Sequence, residues 1–239
     1  MNMIKILGGL MTLTLVGAAS ATIVVNQSWT LNQAIPDGNP TGYATSQIFS
    51  GLDASAINQV DVRLSISGGF NGDLYGYLVL QSADGSTTTA ILLNRVGRAG
   101  AADSGYDTAG FNVTLTGDTG GGYGNIHDVG NPVTDNSTKY LADGRTTNPT
   151  GDFTMTNPTL GLDLLNGINA NGKWTLFLAD MTGGDQSTLI SWGLNVSVVP
   201  EPVPWALMFF GGGLALAGAG RLYMAASRRA KSGSIRNAQ

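Results

Sequence analysis

Most of the reactive side chains lie in residues 22–200, where the acidic residues are fifteen aspartates and no glutamate. Such carboxylates can form a glycosidase pair, or they can bind calcium, which prefers roughly six to eight oxygen ligands. Aspartate also has a purely structural use, because its short side chain bonds to nearby backbone in turns. A glycosidase pair would further need two carboxyls at a fixed separation in a cleft. The residue types alone leave these uses open.

The chain has one histidine, His127, in the segment Gly-Asn-Ile-His-Asp. A Ser-His-Asp triad would have to use it, but the Gly-x-Ser-x-Gly pattern of an activated serine does not occur. A single histidine also excludes metal sites built on several histidines, and the lack of cysteine excludes thiolate sites and disulfides. We therefore expect His127 to be a solvated loop residue and the protein not to be an enzyme.

The charge is divided unevenly along the chain. Residues 22–200 carry fifteen aspartates against six lysines and arginines, a charge of -9, whereas residues 201–239 carry +4. Because an acidic body is repelled by phosphate backbones, we expect no binding to nucleic acid. Apolar residues make up 42% of the chain and glycine accounts for 35 of 239 residues, which indicates a folded, turn-rich protein rather than a disordered one.

Apolar and polar side chains alternate in four segments, 60–66, 111–115, 174–178 and 192–198, as is typical of half-buried strands. Segments 74–80 and 91–93 are more continuously apolar and could be inner strands, while only 160–165 suggests a helical turn. About eight strands with glycine-rich connections predict an all-β protein, a two-sheet jelly-roll sandwich. The alternation places Trp174 and Trp192 in its core.

The N-terminal segment predicts a signal peptide over residues 1–21. Lys5 precedes an apolar run over 6–18, and Ala19-Ser20-Ala21 ends it. Small residues at Ala19 and Ala21 fit the signal-peptidase cleft, so the mature chain is expected to begin at Thr22. A buried helix is the alternative interpretation.

A second apolar segment lies near the C-terminus. Residues 203–220 are uncharged and are followed by Arg221 and a basic cluster at 228–231. Eighteen helical residues span ~27 Å, close to the ~30 Å of a hydrocarbon core. We expect a transmembrane helix with its basic end in the cytoplasm and residues 22–199 outside the inner membrane.

The motif Pro200-Glu201-Pro202 directly precedes this run. Residues 199–231 thereby resemble the PEP-CTERM sorting signal of Gram-negative bacteria, which leaves 232–239 as a cytoplasmic tail. The resemblance implies that an exosortase, a membrane-embedded cysteine transpeptidase-like enzyme, processes the chain after signal peptidase, in organisms that secrete exopolysaccharide. The expected destination is the cell surface or extracellular matrix. An ordinary C-terminal anchor is the alternative.

The body at 22–198 resembles the P domain (P/Homo B), the jelly-roll module beside the catalytic domain of subtilisin-like proprotein convertases. The match begins near Ile35 and ends near Val198, and residues 97–158 match poorly. Its motifs are Ile35-Pro36-Asp37, Gly72-Asp73-Leu74, Asp84-Gly85, Asn171-Gly172-Lys173-Trp174, Asp180, Gly184-Asp185 and Ser191-Trp192-Gly193. Gly68-Gly69 replaces a His-Thr pair that the family often has. The resemblance does not extend to the catalytic domain and implies no peptidase activity.

Some P domains bind calcium, and the resemblance makes four loop-edge aspartates the candidate ligands. These are Asp37, Asp73, Asp180 and Asp185. The ligand spacing of an EF-hand is missing, and turn or capping roles are the alternative.

Exposed tyrosines are candidates for stacking on sugar rings. They are Tyr75, Tyr77, Tyr106 and Tyr123, of which the first two share a strand face and could instead belong to the core. We expect an exported, non-enzymatic surface or matrix protein with a structural or adhesive role. The alternative is a carbohydrate-binding or calcium-binding accessory module that assists a separate enzyme.

Overall fold

The computed structural model describes residues 22–52, 56–130, 138–151 and 154–198. The expected signal peptide with Ala19 and Ala21 lies outside the described residues, as do the motif Pro200-Glu201-Pro202 and the helix expected after it. In the four described ranges, no helix is both long and apolar enough to cross a membrane.

The described part of the chain forms nine strands and two short 3-10 helices. The strands are Thr22–Ala34 (β1), Asn39–Phe49 (β2), Ile57–Gly68 (β3), Leu74–Ser82 (β4), Thr87–Asn94 (β5), Phe111–Thr116 (β6), Lys139–Leu141 (β7), Gly172–Asp180 (β8) and Ser187–Val198 (β9). The 3-10 helices are Asn71–Asp73 and Leu162–Leu165.

The strands form two sheets. One has five strands in the order β1-β9-β3-β6-β7, and the other has four in the order β2-β8-β4-β5. Neighbouring strands are antiparallel except β6 and β7, which are parallel. The predicted all-β, two-sheet sandwich is confirmed.

The core forms because alternate side chains of these strands point between the sheets. In β8, for example, Trp174, Leu176 and Leu178 are buried while Thr175 and Phe177 between them are half-buried. Both predicted core tryptophans, Trp174 and Trp192, have no exposed surface. Complete burial of such large side chains makes them principal contributors to the stability of the fold.

The strand predictions are confirmed at most positions and wrong at one. The four alternating segments lie in β3, β6, β8 and β9, and β4 is an inner strand between β8 and β5, as expected. β5, which contains 91–93, is instead at the edge of its sheet. Its apolar residues are buried because a later segment covers that edge, with Ile91 N–H donating to Leu160 O (2.8 Å) and Asp143 N–H to Leu92 O (3.1 Å).

Each sheet therefore has two edge strands, and they group into two sides of the sandwich. β1 and β2 are joined by the short turn at 35–38, and Trp29 of β1 packs on Phe49 of β2 with ring centroids 6.3 Å apart. We call the side formed by β1, β2 and their turn the open side. β5 and β7 form the covered side, where β7 leads directly into the segment over β5 and its own Leu141 pairs with Gly124 and Ile126.

Candidate functional site

The four aspartates predicted as calcium ligands lie at one end of the sandwich. Asp180 ends β8 and lies opposite Leu74, which directly follows Asp73, and Met181 N–H donates to Asp73 O (2.9 Å). Asp37 lies in the turn between β1 and β2, and both its carboxylate oxygens accept the Gly184 N–H at 3.1 Å. The fold thus brings together aspartates that are far apart in sequence.

Asp180 is the most constrained of these carboxylates. It has no exposed surface, its Oδ2 accepts the Ser187 hydroxyl at 3.2 Å, and its Oδ1 has no hydrogen-bond partner among the described residues. Burial raises the pKa of Asp180 to about 6; hydrogen bonds from Thr182 N–H and Ser187 lower it, and the charges of Asp73 and Asp37 raise it further. A buried carboxylate with a free oxygen favours neutralisation by a proton or a cation.

The other two aspartates have different surroundings. Asp73 Oδ1 lies 2.8 Å from Arg95 Nη2, and this guanidinium also donates to the Thr182 hydroxyl at 2.8 Å. Asp185 is exposed and lines, with Asp73 and Arg95, a cavity of about 330 Å³. Because Arg95 already neutralises Asp73, the carboxylates left for a cation are Asp180, Asp37 and the exposed Asp185.

The four aspartates do not form a closed set of metal ligands. Within the described ranges, no group of three or more Asp, Glu or His side chains is placed to hold a metal ion. Calcium stays a prediction, and the feature that fits it is the free Oδ1 of Asp180. Asp37 accepts the Gly184 N–H, a hydrogen bond that is also compatible with the alternative turn or capping role.

His127 is buried, so the expectation of a solvated loop histidine is wrong. Only 2% of the residue is exposed, Nδ1 lies 2.8 Å from Asp143 Oδ2, and Nε2 lies 2.9 Å from the Arg98 carbonyl. Since a carbonyl can only accept, Nε2 carries a proton and donates it. Both ring nitrogens are therefore used to hold the protein together.

The same aspartate joins His127 to a larger buried cluster, which we call the His127 cluster and define as Asn94, His127, Asp143 and Arg145. Asp143 Oδ2 also accepts the Asn94 N–H (3.0 Å), and its Oδ1 accepts Arg145 Nη1 (3.2 Å). Arg145 Nη2 also donates to both carboxylate oxygens of Asp128, at 2.9 Å to Oδ1 and 2.8 Å to Oδ2. Sequence reasoning missed this cluster because Asp143-Gly144 reads only as a turn.

The candidate sugar-stacking tyrosines do not form one platform. Tyr75 and Tyr77 lie half-buried on the outer face of β4, where Tyr77 stacks on Phe177 with centroids 4.6 Å apart and Tyr75 meets both rings edge-on. The Tyr106 hydroxyl donates to the His127 carbonyl (2.6 Å) and accepts the Gly130 N–H. Tyr75 and Tyr77 thus contact other aromatic rings and the Tyr106 hydroxyl is hydrogen-bonded within the protein, while Tyr123 is half-buried.

Comparisons with known proteins do not assign a family. No family model matches the chain, and no curated protein matches it. The serine protease of Aeromonas sobria, solved in complex with its chaperone, is similar with a TM-score of 0.42 and 15% identity over 75% of this chain and 27% of that chain. The protease alone gives a TM-score of 0.39 at the same identity and coverage. The matched region spans about a quarter of the protease chain.

Proposed function

We propose that this protein is an exported, non-enzymatic surface or matrix protein with a structural or adhesive role. The observation that carries the proposal is the use of its reactive side chains: His127, Asp143 and Arg145 are buried and bonded to one another. Groups held in this way stabilise a scaffold and are not presented to a substrate. The edge strand β2, in contrast, exposes short neutral side chains such as Ala44 and Ser46 to solvent.

We infer that the body is a jelly roll related to the P domain. The strand order supports this, because β1 to β4 alternate between the two sheets and the late strands return between them, β8 between β2 and β4 and β9 between β1 and β3. That return of the chain between early strands is typical of double-sheet jelly rolls. A rigid, closed core of this kind suits a protein that must persist outside the cell without disulfides.

A surface or matrix role requires that the protein leave the cytoplasm. We propose that the two terminal segments, 1–21 and 199–231, direct this export. Signal peptidase would cut after Ala21, and an exosortase would process the chain near Pro200-Glu201-Pro202 once the following helix holds it in the inner membrane. Released or surface-bound protein would then meet the exopolysaccharide outside the cell. Replacing these three residues with alanines should leave export intact and block C-terminal processing.

The measurement is mass spectrometry of the mature C-terminus in parent and variant. Val199→Ala is the matched control, since it alters the neighbouring residue and leaves the motif whole. An identical mature C-terminus in the parent and in the triple-alanine variant would exclude sorting by this motif.

A second candidate is a calcium-stabilised accessory module that binds carbohydrate, and the observation in its favour is the free, buried Oδ1 of Asp180. Calcium binding to the native state alone would stabilise it by ~1.4 kcal/mol at tenfold excess over Kd, a rise in Tm of ~3 to 6 °C. Asp180→Asn should abolish this response and the exposed Asp107→Asn should keep it. Equal melting of the parent in calcium and in chelator, at fixed ionic strength, would exclude the site, and binding on a glycan array would favour this second role.

A further inference from the structure

The open side differs from the rest of the molecule in charge. Residues 22–52, which form β1, β2 and their turn, contain a single charged residue, Asp37, although residues 22–198 carry a charge of -9. Neither β1 nor β2 contains Lys, Arg, Asp or Glu. Two copies of an acidic protein repel each other, and this side is where they can approach with the least repulsion.

Edge strands usually carry features that block pairing with another chain, and β2 has few of them. The edges of β5 and β7 are covered by backbone hydrogen bonds from other segments. β1 has two register shifts along its pairing with β9. In β2, the one shift lies before Tyr43, and Tyr43–Phe49 pairs with β8 in unbroken register.

The seven-residue stretch 43–49, Tyr-Ala-Thr-Ser-Gln-Ile-Phe, also has the composition of a pairing strand. It contains no charge, proline or glycine, and it includes aromatic and β-branched residues. Among the described residues, no backbone hydrogen bond joins its outer edge to another segment. Ile48 is 74% exposed, more than any other large apolar side chain of the described residues.

We propose that two copies of this protein associate by antiparallel pairing of their β2 strands, residues 43–49. The two four-stranded sheets then join into one continuous sheet across a two-fold axis, and every outward N–H and C=O in the paired stretch gains a partner. The inference rests on the proposed structural role and names a second copy of the chain as a partner in that role.

A second copy suits this edge because the body is otherwise acidic and 43–49 is a neutral stretch of it. Any antiparallel self-pairing of 43–49 places only neutral side chains opposite one another, so no register opposes like charges. The outer-face residues Ala44 and Ser46 are small and exposed, and they leave room for the exposed Ile48 of the partner subunit.

The absence of cysteine makes cross-linking a direct test. The full chain, purified in mild detergent, would carry Ser46→Cys on β2 or, as the control, Thr87→Cys at an exposed position on β5. A short bis-maleimide reagent, which tolerates small differences in register, should cross-link Ser46→Cys into dimers and leave Thr87→Cys largely monomeric. Dimer yields that are equal, or absent from Ser46→Cys, would overturn the proposal.

A charge placed on the edge provides the second arm. In the Ser46→Cys background, Ile48→Lys puts a lysine from each copy along the shared edge and should reduce association about fivefold. Leu164→Lys adds the same charge at a 40%-exposed position in the second 3-10 helix, which contacts β3 and β5, and should not reduce association. If both lysine variants behave alike, the pairing is not through β2.

This test is separable from the test of the proposed function. Cross-linking failure in a protein that still reaches the surface would overturn the pairing and leave the surface role. Dimers of a protein that never leaves the cytoplasm would support pairing and overturn the role.

Discussion

The two sides of the sandwich handle their sheet edges in opposite ways. On the covered side, Asp143 bonds at once to the Asn94 backbone, to His127 and to Arg145, and so fastens the segment after β7 over β5. On the open side, the long strands β1 and β2 pair, as far as the described ranges show, only with their sheet neighbours β9 and β8. Ten charged residues lie in 95–145 and one lies in 22–52.

This difference indicates that the charged side chains of the covered side serve to fix its long connecting segments. Long connecting segments have no regular ladder of their own, so they are fixed by buried ion pairs and side-chain hydrogen bonds. The open side consists of regular strands, whose backbone ladders need no such groups. We therefore expect substitutions on the covered side to change the stability of the fold, and substitutions on the open side to change association.

The largest effect is expected at Asp143. Asp143→Ala leaves His127 and Arg145 buried without their shared partner, which should cost about 3 to 5 kcal/mol of unfolding free energy. The matched change on the open side, Ser46→Ala, removes one exposed hydrogen bond to Thr175 and should stay within about 0.5 kcal/mol. Urea unfolding at neutral pH measures the unfolding free energy of both variants. Similar losses in Asp143→Ala and Ser46→Ala would contradict the expectation that only the covered side controls stability. Asp143→Asn, the milder change, should fall between them.

The next effect is at Asp180, where the end of β8 meets the one charged residue of the open side, Asp37. The pKa of Asp180 in the folded protein, about 6, lies above its ordinary value of 3.8. Folded protein therefore binds the proton more tightly, and this contribution to stability is present at low pH and is lost as the pH rises through about 6. Asparagine does not titrate, so the stability of Asp180→Asn should not fall in this way as the pH rises. By pH 8 the unfolding free energy of the variant should exceed that of the parent by up to about 3 kcal/mol. Parallel pH profiles of parent and variant, in chelator, would show that the carboxylate is not perturbed.

A smaller effect of opposite sign is expected at Asp61 beside β7. Burial raises the pKa of Asp61, but hydrogen bonds from Thr116, Gln59 and Lys139 and the Lys139 charge outweigh it, so the pKa lies below its usual range. The stabilising contribution is thus present above the ordinary aspartate pKa and lost as the pH falls. Lys139→Met should cost about 1 kcal/mol at neutral pH, since Lys139 is partly exposed, and nothing near pH 2. A cost independent of pH would point to lost packing instead.

The smallest effect on folding is expected at Ile48. The side chain is 74% exposed and its cross-strand partner Lys173 is also exposed, so the repulsion between two lysines would be screened by solvent. Ile48→Lys should therefore leave the unfolding free energy of the monomer within about 0.5 kcal/mol of the parent. Its measurable consequence is the loss of association described above. A loss of more than about 2 kcal/mol in dilute solution would mean that Ile48 is part of the core and that the open side is not a free edge.

Sequence reasoning found the strands whose two faces differ most. In β3 and β9, fully buried residues mostly alternate with half-buried ones, because one face lies against the core and the other faces outward. β2 was not singled out, since an edge strand with Ala, Thr and Ser on it carries little hydrophobic contrast. β7 was missed because three residues are too few for a pattern, and its pairing with β6 depends on the rest of the fold.

The site was predictable only in part. The resemblance singles out four aspartates that the fold places at one end of the sandwich, because turns that end adjacent strands meet there, and their binding of calcium stays a prediction. His127 was misjudged, since its partners Asp143 and Arg98 lie 16 and 29 residues away and no local pattern announces them. Burial of a polar side chain depends on such distant partners, and a sequence read in short segments does not contain that information.

The central claim, an exported structural protein sorted through its C-terminal segment, is tested most directly by locating the chain. Whole cells, membranes and the extracellular fraction would be probed for the protein in strains with and without the exosortase. The account predicts processed protein at the surface or in the matrix of the first strain, and unprocessed protein retained in the inner membrane of the second. The same distribution and the same mature mass in both strains would contradict it.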